Sequence, residues 1–334
     1  MDAPKLLPSR SVRLDTSDPD ALAEAQPERR RHYQWLSRGA FRATLAEESV
    51  GGAAILRERW SCGMRVSCDR SPGYRAFTLP LELTGDVIWC GATLARGSVL
   101  RVDEPWEIST SGRFEYIAFA VNAAALEEVE DQLSESGCRR GRSGNAVLAM
   151  GRTEALNRRL RSRLAALGEA RPHSAAADLA AEDLLHLAAK LSAAPPSGKV
   201  ERVSPPSRRR AAVRRIESYL EAQRGDLPSI PTLCSIAGVG ERTLEYAFRE
   251  QVGTTPVRYL KIRRLNGVRR ELSAREVGPR DVATAAHRWG FLELGRFAGE
   301  YRSLFGELPS ETLRRASPER ARELDRPGEE ARPA

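Results

Sequence analysis

"RWGFLELGRFAGEYRSLFGELPS", residues 288–310, decides the fold of the C-terminal part of this chain. It has the pattern of a short helix, a tight turn, a second helix and a stop signal. Nearly the same pattern occurs earlier, in "IAGVGERTLEYAFREQVGTTPVRYL", residues 236–260. The aligned pairs are Leu244 with Phe297, Phe248 with Tyr301 and Gly253 with Gly306 at an offset of 53, and Gly238 with Gly290 at an offset of 52. One supersecondary unit is therefore present twice.

The first copy of this unit has the pattern of a helix-turn-helix. Gly238 can adopt a positive φ without steric cost, as a sharp turn requires. In the helix that follows, Leu244, Ala247 and Phe248 share one face, so the residues between them face outwards. A helix-turn-helix places this second helix, called here the reading helix, in the major groove of DNA.

The outward residues of the two reading helices are candidates for contact with base edges. Arg242 can bind O6 and N7 of guanine, and Glu245 can accept from N4 of cytosine. Tyr246 can contact a thymine methyl group or a phosphate. In the second copy only Arg296 and Arg302 offer strong donors, and we include Arg296 among the base readers. The other outward residues there are Leu294, Gly295, Ala298 and Gly299. We therefore expect the second copy to fix position and groove shape more than sequence.

Basic residues accompany both copies. The segment "PVRYLKIRRLNGVRREL", residues 256–272, predicts one connecting helix that begins with a proline in its first turn. From Arg208 to Arg270 there are 14 Lys and Arg against 6 Asp and Glu, a balance of +8, which equals the formal charge of the whole chain. Such a surface should bind DNA with salt-dependent affinity. The side chains that we predict to contact phosphates are Thr243, Arg249, Arg258, Arg263, Arg264 and Arg302.

One such pattern would be weak evidence, because helical hairpins with a glycine turn are common and a basic helix face is usually only solvated. Two copies joined by a basic helix are far more specific. The motif residues of the second copy are Gly290-Phe291, Phe297, Tyr301-Arg302, Phe305-Gly306 and Pro309-Ser310. Through them the last ~105 residues resemble the AraC/XylS family of bacterial transcriptional regulators. The resemblance implies two helix-turn-helix subdomains joined by a helix, and promoter DNA and RNA polymerase as partners, usually in activation.

The same resemblance assigns further properties to individual positions. It places base readers at Arg242, Glu245 and Tyr246 in the first copy. The family often has serine at the N-cap of each reading helix, where this chain has Gly240 and Leu292. We therefore expect weaker capping of both reading helices.

The first part of the chain has a different pattern. Short segments rich in β-branched and aromatic residues, separated by glycine, proline and serine, predict strands over 31–121 and an antiparallel sandwich or small barrel. The overall prediction is an α+β chain, in which a cupin-like antiparallel β-sandwich or barrel with helices precedes an all-α domain of two joined helix-turn-helix subdomains. The predicted segments are a flexible lead-in over 1–30, an effector-sensing or dimerisation domain over 31–193 (β-rich over 31–121, helical over 122–193), a linker over 194–210, a DNA-binding domain over 211–316 and a flexible tail over 317–334.

Two amphipathic helices in the segment 122–193 leave an alternative open. One stripe consists of Leu156, Leu160, Leu164 and Leu167, and the other of Leu179, Leu184, Leu187 and Leu191. These stripes could pack across the sandwich, or they could pair with a second copy of the chain in a homodimer.

The front part is expected to sense a small-molecule effector. "YQWLSRGAF", residues 33–41, and "GDVIWCGATLARGSVL", residues 85–100, resemble the front half of ethanolamine-utilisation regulators, which would imply ethanolamine with a cobalamin as the effector. The residues that we predict to line the effector pocket are Trp35, Trp60, Trp89 and Trp106, and polar residues such as Arg65 could meet a polar ligand. The chain itself shows no motif for a cofactor.

Catalysis is not expected. A metal-dependent cupin enzyme needs a cluster of histidine and glutamate, and the first 120 residues contain one histidine, His32. We predict neither catalytic residues nor a metal site. The alternative function is a small-molecule-binding protein or cupin-like enzyme with a helical scaffold domain.

Composition limits the compartment. The 334 residues include no run of about 18 apolar residues, and the N-terminus has no apolar signal region, so we expect a cytoplasmic protein without a membrane span. The five cysteines, Cys62, Cys68, Cys90, Cys138 and Cys234, have no metal spacing, and we expect reduced thiols.

Overall fold

The computed structural model describes residues 10–50, 52–68, 73–103, 105–135, 144–149, 153–169, 174–193, 208–222, 228–274 and 281–316. The predicted tail over 317–334, the linker residues 194–207, the first nine residues and Cys138 lie outside the described residues. Within them the chain has the predicted α+β composition, with antiparallel sheets in the front domain (residues 10–193) and helices in the C-terminal domain (residues 208–316).

Two antiparallel sheets form the front domain. The strands are β1 (Arg10–Thr16), β2 (Arg31–Trp35), β3 (Ala43–Val50), β4 (Ala53–Trp60), β5 (Met64–Cys68), β6 (Tyr74–Leu83), β7 (Val87–Trp89), β8 (Ala92–Thr93), β9 (Ser98–Val102), β10 (Trp106–Thr110), β11 (Phe114–Asn122) and β12 (Ala146–Ala149). The seven-stranded sheet has the order β1-β3-β4-β11-β6-β9-β12, and the five-stranded sheet has the order β2-β5-β10-β7-β8.

Helices complete both domains. Those of the front domain are α1 (Pro19–Glu24), α2 (Ala123–Glu135), α3 (Glu154–Glu169) and α4 (Ala175–Ala193). Those of the C-terminal domain are α5 (Arg208–Ala222), α6 (Ile230–Ala237), α7 (Glu241–Val252), α8 (Pro256–Ser273), α9 (Val282–Arg288), α10 (Leu294–Phe305) and α11 (Pro309–Ala316). The reading helices are α7 and α10, and α8 is the predicted connecting helix.

The front domain has three layers. One face of the seven-stranded sheet packs on the five-stranded sheet, and the other face is covered by α2, α3 and α4. Leu160 and Leu164 of α3, and Leu184 and Leu187 of α4, are buried under this second face. Most of both leucine stripes therefore packs across the sandwich, as the first alternative predicts, while Leu179 of α4 is 65% exposed.

Three segments differ from the sequence prediction. Residues 10–30, expected to be a loose lead-in, instead form β1, α1 and a short 3-10 helix. Strand β1 pairs with β3 along its whole length, from Arg10 opposite Ser49 to Thr16 opposite Ala43. The helical segment over 122–193 also contains a strand, β12, which pairs with β9. Residues 208–210, inside the predicted linker, belong to helix α5, and Arg210 is buried in an ion pair with Glu107 of the front domain.

The duplicated unit folds twice in the same way. The turn glycines Gly238 and Gly290 have φ of 67° and 74°, and the glycines that end the reading helices, Gly253 and Gly306, have φ of 79° and 77°. All four occupy the left-handed region, where a side chain is strained. The predicted inward residues Leu244, Phe248, Phe297 and Tyr301 are buried. Matching positions at the sequence offset therefore have matching backbone conformations.

The described cysteines do not form disulfides. Cys62 and Cys90 are buried in the front domain. Burial raises the pKa of each thiol to about 12, so both remain protonated near neutral pH and are poor nucleophiles. Among the described residues, no group of three or more His, Cys, Asp and Glu side chains is placed so that it could hold a metal ion.

Two helical glycines allow a matched test of packing in the C-terminal domain. A Cβ on Gly267, inside α8, would lie 2.3 Å from Cζ2 of Trp289, whereas a Cβ on Gly299, inside α10, would meet no atom within 4 Å. We expect Gly267→Ala to lower the free energy of unfolding by about 1–3 kcal/mol through overpacking. We expect Gly299→Ala to raise it by about 1 kcal/mol, because alanine favours a helix. Urea denaturation measures both, and shifts of the same sign would contradict this packing.

Candidate nucleic-acid interface

The first reading helix exposes the side chains that the sequence predicted for it. Helix α7 buries Leu244, Ala247 and Phe248 against its own domain. On its opposite face, the base-reading candidates Arg242, Glu245 and Tyr246 and the phosphate candidate Arg249 are exposed, and Thr243 is half-buried. The exposed residues begin in the first turn of α7, which is the part of a recognition helix that contacts bases.

These exposed side chains contact one another. Arg249 Nη2 donates to Glu245 Oε1 at 2.8 Å, and the guanidinium carbon of Arg242 lies 5.7 Å from the centroid of the Tyr246 ring. The guanidinium of Arg209, in α5, lies 5.8 Å from the same ring. An exposed ion pair of this kind contributes little stability, so a partner with stronger acceptors can replace these contacts at small cost. The sequence prediction missed Arg209 because it assigned residues 208–210 to the linker.

The second reading helix has a smooth outward face. Gly295, Gly299 and Arg302 of α10 are exposed, Ala298 is half-buried, and Leu294 is 38% exposed. The Nε atom of Arg296 donates to Glu300 at 3.1 Å, and Lys261 Nζ donates to the same carboxylate oxygen at 2.5 Å. A Cβ on Gly295 or Gly299 would meet nothing within 4 Å, so packing within the chain does not require glycine there. Glycine permits a close approach of another molecule at these two positions.

The connecting helix supplies cations between the two units. Of the predicted phosphate contacts, Arg258 is exposed, and Arg263 and Arg264 are half-buried. Arg264 and Lys261 line a groove of about 560 Å³ between the start of α6, α8 and the start of α10. The Nε atom of Arg264 is buried and has no hydrogen-bond partner. Lys261 was not among the predicted contacts, although it follows Arg258 by three positions on the same helix.

Neither reading helix has a capping side chain. The N-cap of α7 is Gly240, as predicted, and the N-cap of α10 is Glu293, one position later than predicted; neither makes a side-chain cap hydrogen bond. The supporting helices differ, because Ser229 caps α6 and Asp281 caps α9 through their side chains. The backbone N–H groups at the start of each reading helix are therefore left to bind another acceptor.

The predicted effector-pocket tryptophans lie in different surroundings. Trp60 packs on Phe114 and Tyr116 between the two sheets, and Trp89 is buried in the same core. Trp106 is half-buried beneath the guanidinium of Arg31. Trp35 packs on Phe305 of the C-terminal domain. Arg65, considered as a ligand contact, instead binds Glu217 of α5.

Comparison with known proteins finds a matching family model and relatives for the C-terminal domain. Residues 233–315 match a family model described as a helix-turn-helix domain. The chain is 42% identical over 102 residues to a probable thc operon regulatory protein of Rhodococcus erythropolis, covering 30% of this chain and 31% of that protein. It is 38% identical over 105 residues to a XylDLEGF operon transcriptional activator of Pseudomonas putida, covering 31% of this chain and 33% of that protein.

These matches cover part of each molecule. The chain spans about a third of the length of these two curated relatives. Among solved structures, it is similar to the AraC-like transcriptional activator CuxR at 16% sequence identity and a TM-score of 0.40, covering 76% of this chain and 94% of that one. In the described part of the chain, every helix is too short or too polar to cross a membrane.

Proposed function

We propose that the whole chain is a sequence-specific DNA-binding regulator of transcription of the AraC/XylS type, because residues 233–315 match a helix-turn-helix domain model. The observation that carries the proposal is the duplicated unit, in which two reading helices are joined by the basic helix α8 and expose their first turns. Helix α8 has 18 residues, which corresponds to ~27 Å of helix. Two major-groove segments on one side of DNA lie about one turn, ~34 Å, apart.

The finer roles of the predicted residues belong to this proposal. The residues that contact base edges are Arg242, Glu245, Tyr246 and Arg296. The residues that contact phosphates are Thr243, Arg249, Arg258, Arg263, Arg264 and Arg302. The smooth face of α10 approaches the groove closely at Gly295 and Gly299, where the fold leaves room. The domain boundaries 31–193 and 211–316 are part of the same proposal, with β1 extending the first one to Arg10 and α5 extending the second one to Arg208.

Activation, effector control and partners are also proposed. The relatives named above include an operon transcriptional activator, which supports activation and contact with RNA polymerase. The front domain responds to a small-molecule effector in this proposal, and its packing on the C-terminal domain is the contact through which the response would reach the reading helices. The predicted tryptophans remain candidates for that response, Trp35 foremost because it touches both domains. A homodimer and a cytoplasmic location complete the proposal. No described feature favours the alternative of a cupin-like enzyme.

Selection of DNA fragments from the source genome tests the proposal. The full-length protein would be incubated with the fragments at two salt concentrations, and bound fragments would be sequenced. A recurring site with two protected major-groove patches about one turn apart supports sequence-specific regulation. Recovery of random fragments that are lost at the higher salt would show that the basic surface binds phosphate alone, and would overturn the proposal.

Arg242→Ala is expected to weaken binding to the selected site by about 1–3 kcal/mol and to relax the preference at one base pair, because a bidentate contact with guanine is lost. Arg59→Ala is the matched control, since Arg59 is an exposed arginine on β4 of the front domain. Both variants lose one positive charge, so the relaxed preference at one base pair, rather than the lost affinity alone, identifies a base contact. Titration of labelled DNA with each variant measures the difference. Equal affinities for the two variants would show that Arg242 is not a base reader.

A further inference from the structure

The front domain contacts the C-terminal end of the first reading helix. The carbonyl oxygen of Gln251, in the last turn of α7, accepts from Arg65 Nη1 at 2.9 Å and from Ser109 Oγ at 3.3 Å. A Cβ on Gly253, which ends α7, would lie 3.6 Å from Cδ1 of Ile88. Arg65, Ser109 and Gln251 are all buried. The last turn of α7 is therefore fixed against the five-stranded sheet.

The same domain also contacts the C-terminal end of the second reading helix. The carbonyl oxygen of Leu304, in the last turn of α10, accepts from the N–H of Gly39 at 3.2 Å. Gly306 follows, and a Cβ there would lie 3.4 Å from the backbone nitrogen of Ala40. The ring of Phe305 packs edge-on against Trp35, with centroids 4.9 Å apart. The C-terminal ends of both reading helices therefore contact the same front domain.

Buried ion pairs cross the same boundary. Arg65 binds Glu217 of α5 through two hydrogen bonds of 2.9 and 3.0 Å, and both side chains are at most 13% exposed. Arg210 of α5 binds Glu107 of β10 at 2.6 and 3.3 Å, and these side chains are at most 7% exposed. Buried pairs of this kind contribute little net stability, but breaking one is costly, so the geometry that satisfies them is strongly preferred.

The connecting helix is held as well. The side chain of Asn266, in α8, accepts from the backbone N–H of Trp35 at 3.1 Å and donates to its carbonyl oxygen at 3.0 Å. Nearby, Arg269 binds Asp18 at 3.1 Å. All three helices that set the position of the two reading surfaces, α7, α8 and α10, are therefore bonded to the front domain.

We infer that the front domain is a structural part of the DNA reader, because it holds the C-terminal ends of α7 and α10 and thereby fixes the distance and angle between them. The inference rests on the proposed function. Arg242 and Arg296 lie in the first turns of their helices, whereas the contacts described above lie in the last turns, so the reading surfaces stay free. Two reading helices held at a fixed distance can bind together only to DNA in which the two contacted groove patches have one particular spacing. Each inserted base pair moves the second patch by ~3.4 Å and rotates it by about a tenth of a turn.

Binding to sites with altered spacing tests this inference. The full-length protein is titrated with the selected site and with versions in which one base pair is added or removed between the patches. The combined variant Glu107→Gln, Glu217→Gln removes the negative charge from both cross-boundary pairs, keeps side-chain shape and leaves the two arginines without a counter-charge. The matched control is Glu130→Gln, because Glu130 forms an equally buried pair with Arg75 inside the front domain.

We expect the wild type and Glu130→Gln to bind the altered sites at least about tenfold more weakly than the selected site, and the combined variant to differ by less than about threefold. Unchanged spacing preference in the combined variant would overturn the inference. Should that variant fail to fold, Asn266→Ala decides in the same assay, because Asn266 is half-buried and its loss removes two cross-boundary hydrogen bonds.

Calorimetry separates this inference from the proposed function, because it needs no DNA. Domains that are held together unfold in one transition, so the wild type should show a single transition, and the combined variant should show two. Two transitions in the wild type would overturn the inference even if a DNA site is found. A single transition without any selected site would leave the rigid contact standing and would overturn the regulatory proposal instead.

Discussion

Replacing Glu58 by glutamine is expected to lower the free energy of unfolding by about 3–5 kcal/mol, because it removes the carboxylate that accepts from Arg31 in a buried polar cluster between the two sheets. The Glu58 side chain has no exposed surface and accepts hydrogen bonds from Arg31 Nη1 at 2.7 Å, Tyr33 Oη at 2.7 Å and Tyr116 Oη at 2.6 Å. Burial raises the pKa of both tyrosines, so both phenols stay protonated and donate. A glutamine places an amide donor among these donors and leaves the guanidinium of Arg31 without a counter-charge.

Glu82→Gln is the control for this substitution. Glu82 of β6 pairs with Arg113, which directly precedes β11. The side chain of Glu82 is 36% exposed and that of Arg113 is 47% exposed. An exposed pair contributes about 0–1 kcal/mol, so this variant should unfold close to the wild type. Urea denaturation followed by circular dichroism measures both. A Glu58 variant as stable as the Glu82 variant would show that the cluster is solvated in solution.

The helix-turn-helix units were predictable because their signals are local. Apolar residues recur at helical spacing, and the glycines that mark each turn and each stop adopt the left-handed conformation that glycine favours, at Gly238, Gly290, Gly253 and Gly306. These signals need only a few neighbouring residues to act. The correct identification of the inward faces of both reading helices followed from the same short-range pattern.

The contacts that join the domains were not predictable from the sequence. Arg65 and Glu217 are 152 positions apart, and Trp35 and Asn266 are 231 apart, so no periodicity relates them. A buried arginine looks the same in sequence whether a ligand or another domain neutralises it, which is why Arg65 was considered as a ligand contact. Likewise, a leucine stripe shows that a face is buried without showing what buries it. Strand β1 was missed because its pairing partner β3 lies outside any local window.

Phe297→Ala is expected to lower the free energy of unfolding by about 3–5 kcal/mol, with the loss concentrated in the second helix-turn-helix unit. The Phe297 ring is 1% exposed and lies between Phe291 and Tyr301, with centroid distances of 4.9 and 5.7 Å. Removing it leaves a cavity beneath the face of α10 that carries Arg296. Hydrogen exchange should therefore quicken in α9 and α10 before it quickens in α6 and α7.

Leu292→Ala is the control, since Leu292 lies five positions earlier and is 82% exposed, so its truncation should change stability by less than about 0.5 kcal/mol. Footprinting on the selected site then connects stability with reading. If α10 makes its own contacts with DNA, Phe297→Ala should lose protection of the second groove patch and keep that of the first, because α7 retains its core around Phe248. Loss of both patches together would instead show that α10 and α7 bind only as one body.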